Sequence, residues 1–362
     1  MTLEELRKRL SDVDRELIGL VAARQRIVAE IGAHKIRNAV PTRDYERERE
    51  VLKSAEEHAR ALGLEAGVAA EVMALLIRFS LAHQEQTRVA AQTSGAGKRA
   101  LIIGGAGKMG AWFAQFLASQ GFAVEIADPS EAPSPFPRVA DWSSNRLDQD
   151  LIIVATPMKT AGGILLALAE RKPGGLIVDI GSLKSPLRAG LRQLVAAGCK
   201  VTSIHPLFGP DTRLLSGRHV VFCNVGDPEA TREARALFAS TMAEQLEMSI
   251  DEHDRLMAYV LGLSHALNLA FFTALADSGE LVPRLQKMSS TTFDAQLSVA
   301  SLVATDNPHL YFEIQALNDY GAAPLQALRS AAERIQRLVE DGNESGFVEL
   351  MAAGRRYLET RT

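Results

Sequence analysis

Cysteine is scarce in this sequence. Of 362 residues only Cys199 and Cys223 carry a thiol. They lie far apart and fit no metal-ligand spacing, so no metal is expected, and they read as ordinary thiols of a reducing compartment. A surplus of either charge is also missing. Forty basic against 44 acidic side chains leave a formal net charge of −4, which gives no reason to expect nucleic acid or an anionic membrane as partner. No uninterrupted apolar run reaches the roughly 20 residues that span a bilayer. The first residues are polar and charged, unlike a signal peptide. A soluble, cytoplasmic protein is expected. What remains is 47% hydrophobic and 23% charged, enough for a large core, in a chain long enough for two or three domains.

One stretch organises the middle of the chain. The apolar run Leu101 to Ile103 breaks into Gly105-Ala106-Gly107-Lys108-Met109-Gly110, and an amphipathic segment follows. That is strand, glycine turn, helix. Gly105 is expected to permit the sharp turn, Gly107 to let the backbone approach a pyrophosphate, and Gly110 to let helix and strand pack closely. The phosphates would meet the free N–H groups of the helix. A glycine turn alone is weak evidence. Here a second strand, Ala123 to Ala127, ends at Asp128, where a ribose-binding acid belongs. A carboxylate there accepts from the ribose hydroxyl and repels a 2′-phosphate, so the cofactor is expected to be NAD. Later strands end at Thr156-Pro157, at Gly181-Ser182-Leu183-Lys184 and at His205, all strand ends of the kind that form the cofactor crevice. A histidine at a strand end is often only a satisfied structural group. Its place beside the nicotinamide crevice favours chemistry.

Residues 1–92 read as all-helical. Leu3, Leu6, Leu10, Val13, Leu17, Leu20, Ile27 and Ile31 alternate in steps near three and four, a heptad seam. No proline occurs before Pro41, so one helix can run to about His34. A domain this small cannot cover so long a helix, and pairing with a second copy is expected. The seam has one defect, Arg24. A guanidinium on a buried seam is costly unless it meets an anion, an internal ion pair or a route to water. Lys35 lies about three turns on and shares its face, as a dianion site would require. Arg7 points about a quarter turn away and could reach that pocket only from a partner helix. Thr42 or Asp44 can cap a second helix carrying Arg47 and Glu48. By spacing alone that charged stretch is a solvated face. A third helix, about Ala66 to Ala90, puts Ser80 and Gln84 on one side.

In order and without gaps, Leu6-Arg7, Asp14, Arg24, Lys35, Asp44, Arg47-Glu48, Ser80 and Gln84 resemble the all-helical chorismate mutase family over about residues 1–90. The resemblance implies an intertwined dimer in which Arg7 serves the other subunit's site, cations clamp the two carboxylates of chorismate, Lys35 and Gln84 donate to the ether oxygen, and Glu48 binds the hydroxyl. That suits a pericyclic rearrangement, which needs a held conformer and electrostatic stabilisation but no acid, base or nucleophile.

The run Ser-Ile-His205-Pro-Leu-Phe-Gly-Pro-Asp resembles the His-Pro-Met-Phe-Gly-Pro signature of prephenate dehydrogenases. Asp-Ile-Gly-Ser182-Leu-Lys, Glu252-His253-Asp254 and Leu263-Ser-His265-Ala extend the resemblance over about 100–362. It implies oxidative decarboxylation of prephenate to 4-hydroxyphenylpyruvate, with His205 taking the proton of the C4 hydroxyl, Ser182 setting the geometry and His265 near the substrate. Together the two halves resemble the fused chorismate mutase–prephenate dehydrogenases of tyrosine biosynthesis.

The expected architecture is therefore multidomain. It has a helical domain 1–92, a small polar linker 93–99, an α/β NAD-binding Rossmann domain 100–247, and an all-α substrate-binding and dimerisation domain 248–362, the whole acting as a homodimer. One departure stands out. The family places an arginine six residues before its Asn-Pro or Asp-Pro turn, to hold a substrate carboxylate. Counting back from Pro308 reaches Leu302, and Ser289 to Thr305 contains no cation. Lys184, Arg213, Arg218, Arg284 and Lys287 are the available substitutes, and Arg213 is the one placed at the substrate. Two other readings stand beside the main one. The substrate is arogenate or 4-amino-4-deoxyprephenate, or the helical domain only dimerises the chain or senses a ligand.

Overall fold

The heptad-spaced apolar residues build a single long helix, α1 (Leu3–Arg37). Thr2 and Glu5 cap its start reciprocally, a capping box that satisfies two free N–H groups. The computed structural model describes residues 1–360. Beyond Pro41, Asp44 caps α2 (Tyr45–Ala61) by accepting from Arg47 N at 3.0 Å, and α3 (Ala66–Ala91) follows. Only the C-terminal half of α1 is covered, with Val28 and Gly32 buried. Leu3, Leu10 and Leu20 are 65%, 62% and 67% exposed. So much bare leucine along one seam is an exposed apolar surface of the kind found at protein–protein contacts.

The chain divides into two compact units. One holds residues 1–156, 164–180 and 191–247; the other holds 157–163, 181–190 and 248–362. In the first unit, residues 93–98 form hydrogen-bonded turns, with Gly95 N donating to Gln120 O and Ser94 Oγ to Gln120 Oε1. The connection is a folded corner rather than an open tether. Next come β1 (Arg99–Ile103), α4 (Lys108–Ser119), β2 (Ala123–Ala127), β3 (Arg138–Val139), β4 (Leu151–Val154), α5 (Met158–Arg171), β5 (Leu176–Asp179), α6 (Arg188–Ala196), β6 (Val201–Pro206), β7 (His219–Cys223), α7 (Pro228–Ala236) and β8 (Glu244–Met248). The first turns of α5 and α6 belong to the second unit.

The eight strands form one sheet in the order β3-β2-β1-β4-β5-β6-β7-β8. Strands β1 to β6 are parallel and β7 runs antiparallel to β6. Strands β4, β5 and β6 are buried along their whole length, as expected of central strands in a parallel sheet covered on both faces; β4 is an unbroken apolar run, while β5 and β6 carry buried polar groups, Asp179, Thr202, Ser203 and His205. The chain reverses from β1 outward to β2 and β3, then crosses back to β4. This topological switch creates the crevice at the carboxyl ends of β1 and β4.

The second unit is helical: α8 (Ile250–Met257), α9 (Ser264–Asp277), α10 (Val282–Gln286), α11 (Thr291–Ala304), α12 (Pro308–Ala316), α13 (Ala322–Glu340) and α14 (Glu344–Glu359). Periodicity suggests one helix over 254–276; a π-helical turn at Ala258–Leu263 interrupts it. The last helix, α14, is not anticipated. Two stretches, Ala66–Ala91 and Ile250–Asp277, are long and apolar enough by composition to cross a membrane, although neither is an uninterrupted apolar run. Ser80, Gln84 and Glu85 in the first and His253, Asp254 and Asn268 in the second are buried polar groups. Hydrocarbon would make such groups costly, so the apolar remainder of each is accounted for as packing surface.

The glycine turn departs in detail from the sequence expectation. The sharp reversal falls on Gly104, φ +86°, one residue before Gly105. A Cβ on Gly104 would lie 2.7 Å from Ala155 O, and one on Gly105 would lie 2.5 Å from the Ile126 side chain. Gly110 meets its expectation, since a Cβ there would sit 2.1 Å from Gly104 O. Gly110→Ala should therefore force β1 and α4 apart. It should cost about 1–3 kcal/mol and lower the calorimetric melting transition by roughly 2–4 °C per kcal/mol. An unchanged transition would show that the turn tolerates a side chain.

Candidate active sites

Two polar sites emerge from the first unit and part of a third from the second. The first lies among α1, α2 and α3. Arg24, on the covered half of α1, donates to Leu76 O at 3.2 Å and to Ser80 Oγ at 2.5 Å. Partial burial lowers the pKa of its guanidinium from the ordinary value, the signature of a cation short of water and of counter-charge. Lys35 Nζ donates to Thr42 O at 2.7 Å. Gln84 is 8% exposed, and its Oε1 is buried without a partner. Gly32 makes room for it: a Cβ there would come 3.1 Å from Gln84 Cγ. Four of the expected residues, Arg24, Lys35, Ser80 and Gln84, thus lie buried or half-buried among the three helices, with donors turned to neutral oxygens and one amide oxygen unsatisfied. A small anion would meet the two cations, and a hydroxyl of the same molecule could donate to the Gln84 oxygen.

The other expected residues are placed differently. Asp44 is spent as the N-cap of α2. Arg47 pairs with Glu50 at 2.9 Å on the surface, its side chain 70% exposed. Glu48 is held by Arg43, whose Nε and Nη2 each donate to one carboxylate oxygen at 2.9 Å. Arg7 is exposed on the bare half of α1. At about 1.5 Å per residue it lies roughly 25 Å along the axis from Arg24, too far to join the same pocket.

The second site is the glycine turn. Helix α4 starts at Lys108 with Gly107 as its N-cap and no side-chain cap, so the N–H groups of Lys108, Met109 and Gly110 open toward the turn as an anion cradle. Asp128, ending β2, accepts from Ala106 N at 3.0 Å and from Ser130 N at 2.9 Å, which fixes the carboxylate beside the turn. Thr156 ends β4 with its Oγ1 buried and unpartnered. The glycine cradle, the oriented acid and this orphaned hydroxyl fit a dinucleotide. His205 closes β6, 5% exposed, in register with Val221 of β7. Arg213 is exposed and lines a cavity of about 720 Å³ with Glu85, Gln86, Trp112 and Asp211.

The third group lies in the second unit, where Ser182 and Pro157 also sit. The Asp254 carboxylate accepts from Lys184 N at 2.9 Å, from Ser185 N and Oγ at 2.5 Å each, and pairs with His253 Nδ1 at 2.7 Å. Burial would raise its pKa, but these donors outweigh burial and hold it below the usual carboxylate range. The loop carrying Ser182 is thereby anchored to α8. His265 stacks on Tyr311, ring centroids 4.1 Å apart. Its Nδ1 is buried and unpartnered, and burial pushes its pKa below the ordinary histidine value. Leu302 is 73% exposed on α11.

Arg43, Gly104 and Glu85 escape a reading of the sequence. Gly104 follows the strand directly, a detectable sign of a reversal. Glu85 is 3% exposed and accepts from Leu215 N at 2.7 Å and from Met242 N. Burial pushes its pKa up against those two donors. Arg43 and Glu85 take partners more than a hundred residues away, and no periodicity announces that.

Residues 6–85 match the family model described as Chorismate mutase type II, residues 136–246 that of the prephenate dehydrogenase nucleotide-binding domain, and residues 249–353 that of the prephenate dehydrogenase dimerization domain. The chain is 27% identical over 347 residues to the T-protein of Enterobacter agglomerans, covering 96% of this chain and 90% of that one. It is 31% identical over 271 residues to the 4-amino-4-deoxyprephenate dehydrogenase of Streptomyces pristinaespiralis, covering 72% of this chain and 91% of that one. Among solved structures, prephenate dehydrogenase from A. aeolicus in complex with hydroxyphenyl propionate and NAD+ superposes with a TM-score of 0.57 at 19% identity, covering 73% of this chain and 98% of that one. Synechocystis arogenate dehydrogenase gives 0.56 at 18% identity, covering 73% and 100%. At such identities the structural likeness speaks for the fold.

The anchored loop has a pH signature. Asp251 accepts from Arg188 and from Tyr320 Oη, and these two hydrogen bonds lower its pKa from 3.8 to about 2. A carboxylate whose folded pKa is depressed stabilises the fold above its unfolded pKa and loses that contribution as pH falls through the folded value. Acid should therefore loosen this unit between about pH 4 and pH 2. A carboxyl-carbon NMR titration should place the Asp251 midpoint near 2 and move it up toward 3.8 in Arg188→Ala. A midpoint already at the ordinary value in the native protein would remove the interaction from the account.

Proposed function

The chain belongs to the family in which a chorismate mutase is fused to a prephenate dehydrogenase, and on that premise we propose how its residues divide the work. The protein is a bifunctional, NAD-dependent enzyme of tyrosine biosynthesis. The first 92 residues rearrange chorismate to prephenate. Arg24 binds one carboxylate, and Arg7, lent by a second subunit, takes the other. Lys35 and Gln84 meet the ether oxygen on which charge builds, and Glu48 holds the ring hydroxyl. Ser80 orients Arg24. Arg47 turns from Glu50 to the substrate, and Asp44 keeps α2 in register for both. The observation that carries this reading is Arg24, partly buried and bonded only to neutral oxygens. Such a charge is worth most against a developing negative charge in a site with little water.

In the dehydrogenase, the turn Gly105-Ala106-Gly107 with the free N–H groups of Lys108, Met109 and Gly110, and the Asp128 carboxylate, would hold the pyrophosphate and ribose of NAD, with Thr156 and Pro157 along the crevice. Bound NAD+ supplies the hydride acceptor. His205 accepts a hydrogen bond and then the proton from the C4 hydroxyl. Ser182 orients that hydroxyl, the ring carboxylate departs as CO₂, and the ring becomes aromatic. A base with a pKa near neutrality suits the step. His265, neutral and with a free Nδ1, is a further group for the substrate, and Arg213 is the cation we assign to a carboxylate.

The C-terminal unit carries a dimerization-domain match. We infer a homodimer that also pairs the exposed leucines of α1 and works in the cytoplasm. One observation favours a second substrate. Leu302 cannot bind a carboxylate, and a relative 31% identical is a 4-amino-4-deoxyprephenate dehydrogenase. Steady-state rates with prephenate, arogenate and the 4-amino compound decide it, and prephenate should give the highest kcat/KM.

Two substitutions separate the sites. Arg24→Ala should lower mutase kcat/KM by about 10²–10³-fold and leave NAD reduction from supplied prephenate largely intact; joint loss of both activities would refute independent sites. His205→Asn should cut dehydrogenase kcat by about 10²–10⁴-fold with little change in NAD affinity, and near-normal turnover would take His205 out of the mechanism.

A further inference from the structure

Arg43 lies outside the helices and outside every site residue read from the sequence, yet it is held from three sides. Its Nε and Nη2 grip the two oxygens of Glu48 at 2.9 Å each, a bidentate pair that fixes the carboxylate plane. The guanidinium lies 4.3 Å above the centre of the Tyr45 ring. Its remaining donor, Nη1, reaches Ser216 Oγ at 2.5 Å. Ser216 belongs to the connection between β6 and β7, the segment that begins just after His205. There it occupies a tight turn: Arg218 N donates to Leu215 O at 2.9 Å, and Gly217 takes φ +72°. The turn is pinned in place because Leu215 N donates at 2.7 Å to buried Glu85. Glu85 is the immediate neighbour of Gln84 on α3. The circuit therefore closes. One helix places Gln84 in the mutase pocket and, through Glu85, the turn whose serine holds Arg43 against Glu48.

We propose that Arg43 is a positioning residue of the mutase reaction and that Ser216, a residue of the dehydrogenase half, is part of the mutase site. Arg43 keeps Glu48 aimed, leaving each carboxylate oxygen a free lone pair for the hydroxyl of chorismate. The inference rests on the reading of Glu48 as the partner of that hydroxyl.

The test uses the full-length protein, with chorismate and with its analogue lacking the ring hydroxyl. Arg43→Gln should raise KM for chorismate about tenfold or more, the worth of a charge-assisted hydrogen bond. Arg43→Lys should recover part of the loss. Ser216→Ala should raise KM by a few-fold in the same direction and Ser216→Thr should restore it, with prephenate oxidation unchanged in both. The Arg43→Gln effect should vanish with the deoxy analogue and in a Glu48→Ala background. A fall in kcat at constant KM would mean fewer folded molecules and no positioning role. Equal losses in the Glu48→Ala background, or a parallel loss of prephenate oxidation in Ser216→Ala, would also overturn the proposal. If Glu48→Ala itself leaves KM for chorismate unchanged, the reading of Glu48 fails, and the role of Arg43 fails with it.

Discussion

A positive charge drawn partly out of water and given no negative partner is the constraint on which the first third of this protein depends. Arg24 rests on a serine hydroxyl and a backbone carbonyl, and Lys35 on another carbonyl. Neutral oxygens orient these groups without cancelling them. Their charge therefore stays available to an anion, and the surrounding helices prepay the cost of orienting it. Arg43 is the contrasting case. It meets a carboxylate bidentately, and its job is to hold that carboxylate rather than to bind from solution.

The second site follows a different rule. In a parallel sheet the strands leave their carboxyl ends at one edge, and the reversal of strand order between β1 and β4 opens a crevice there. What shapes the crevice is the absence of side chains. Gly104, Gly105 and Gly110 each stand where a Cβ would strike backbone or a core residue. That absence lets α4 begin close to β1 with its free N–H groups facing outward. The polar additions are few: Asp128 fixed by two backbone donors, the orphaned Thr156 hydroxyl and His205 at the end of β6. Within the helical second unit, by itself, a loop is locked through its backbone to Asp254, where four donors overcome the tendency of burial to neutralise a carboxyl group.

Much of this was legible in order along the chain. Heptad spacing located α1, and its uncovered leucines, still exposed in the single chain, were the reason to expect a partner. Glycine spacing after an apolar run located the turn between β1 and α4, and the next strand does end beside Asp128, whose carboxylate bonds back to the turn at Ala106 N. Where the reading slipped, the cause was short-range geometry. The reversal sits at Gly104, φ +86°, instead of Gly105, and the carbonyl of Ala155 leaves no room for a side chain there. The long apolar run at 254–276 hid a π-helical turn, because periodicity changes little over one inserted residue. Asp44 and Arg47 are a different case: in the single chain a capping bond and an i,i+3 pair satisfy them locally.

The sequence by itself determined the elements, their order, the glycine cradle and the kinds of charge each site carries, because period, propensity and nearest-neighbour chemistry are local properties of a chain. Only the tertiary structure decided which charges meet. Arg43 is tied to Ser216, and Glu85 is buried on the backbone of residues 215 and 242. Hydrogen bonds between residues distant in the chain have no spacing to betray them. They exist only once the packed core has brought their backbones within about 3 Å of one another.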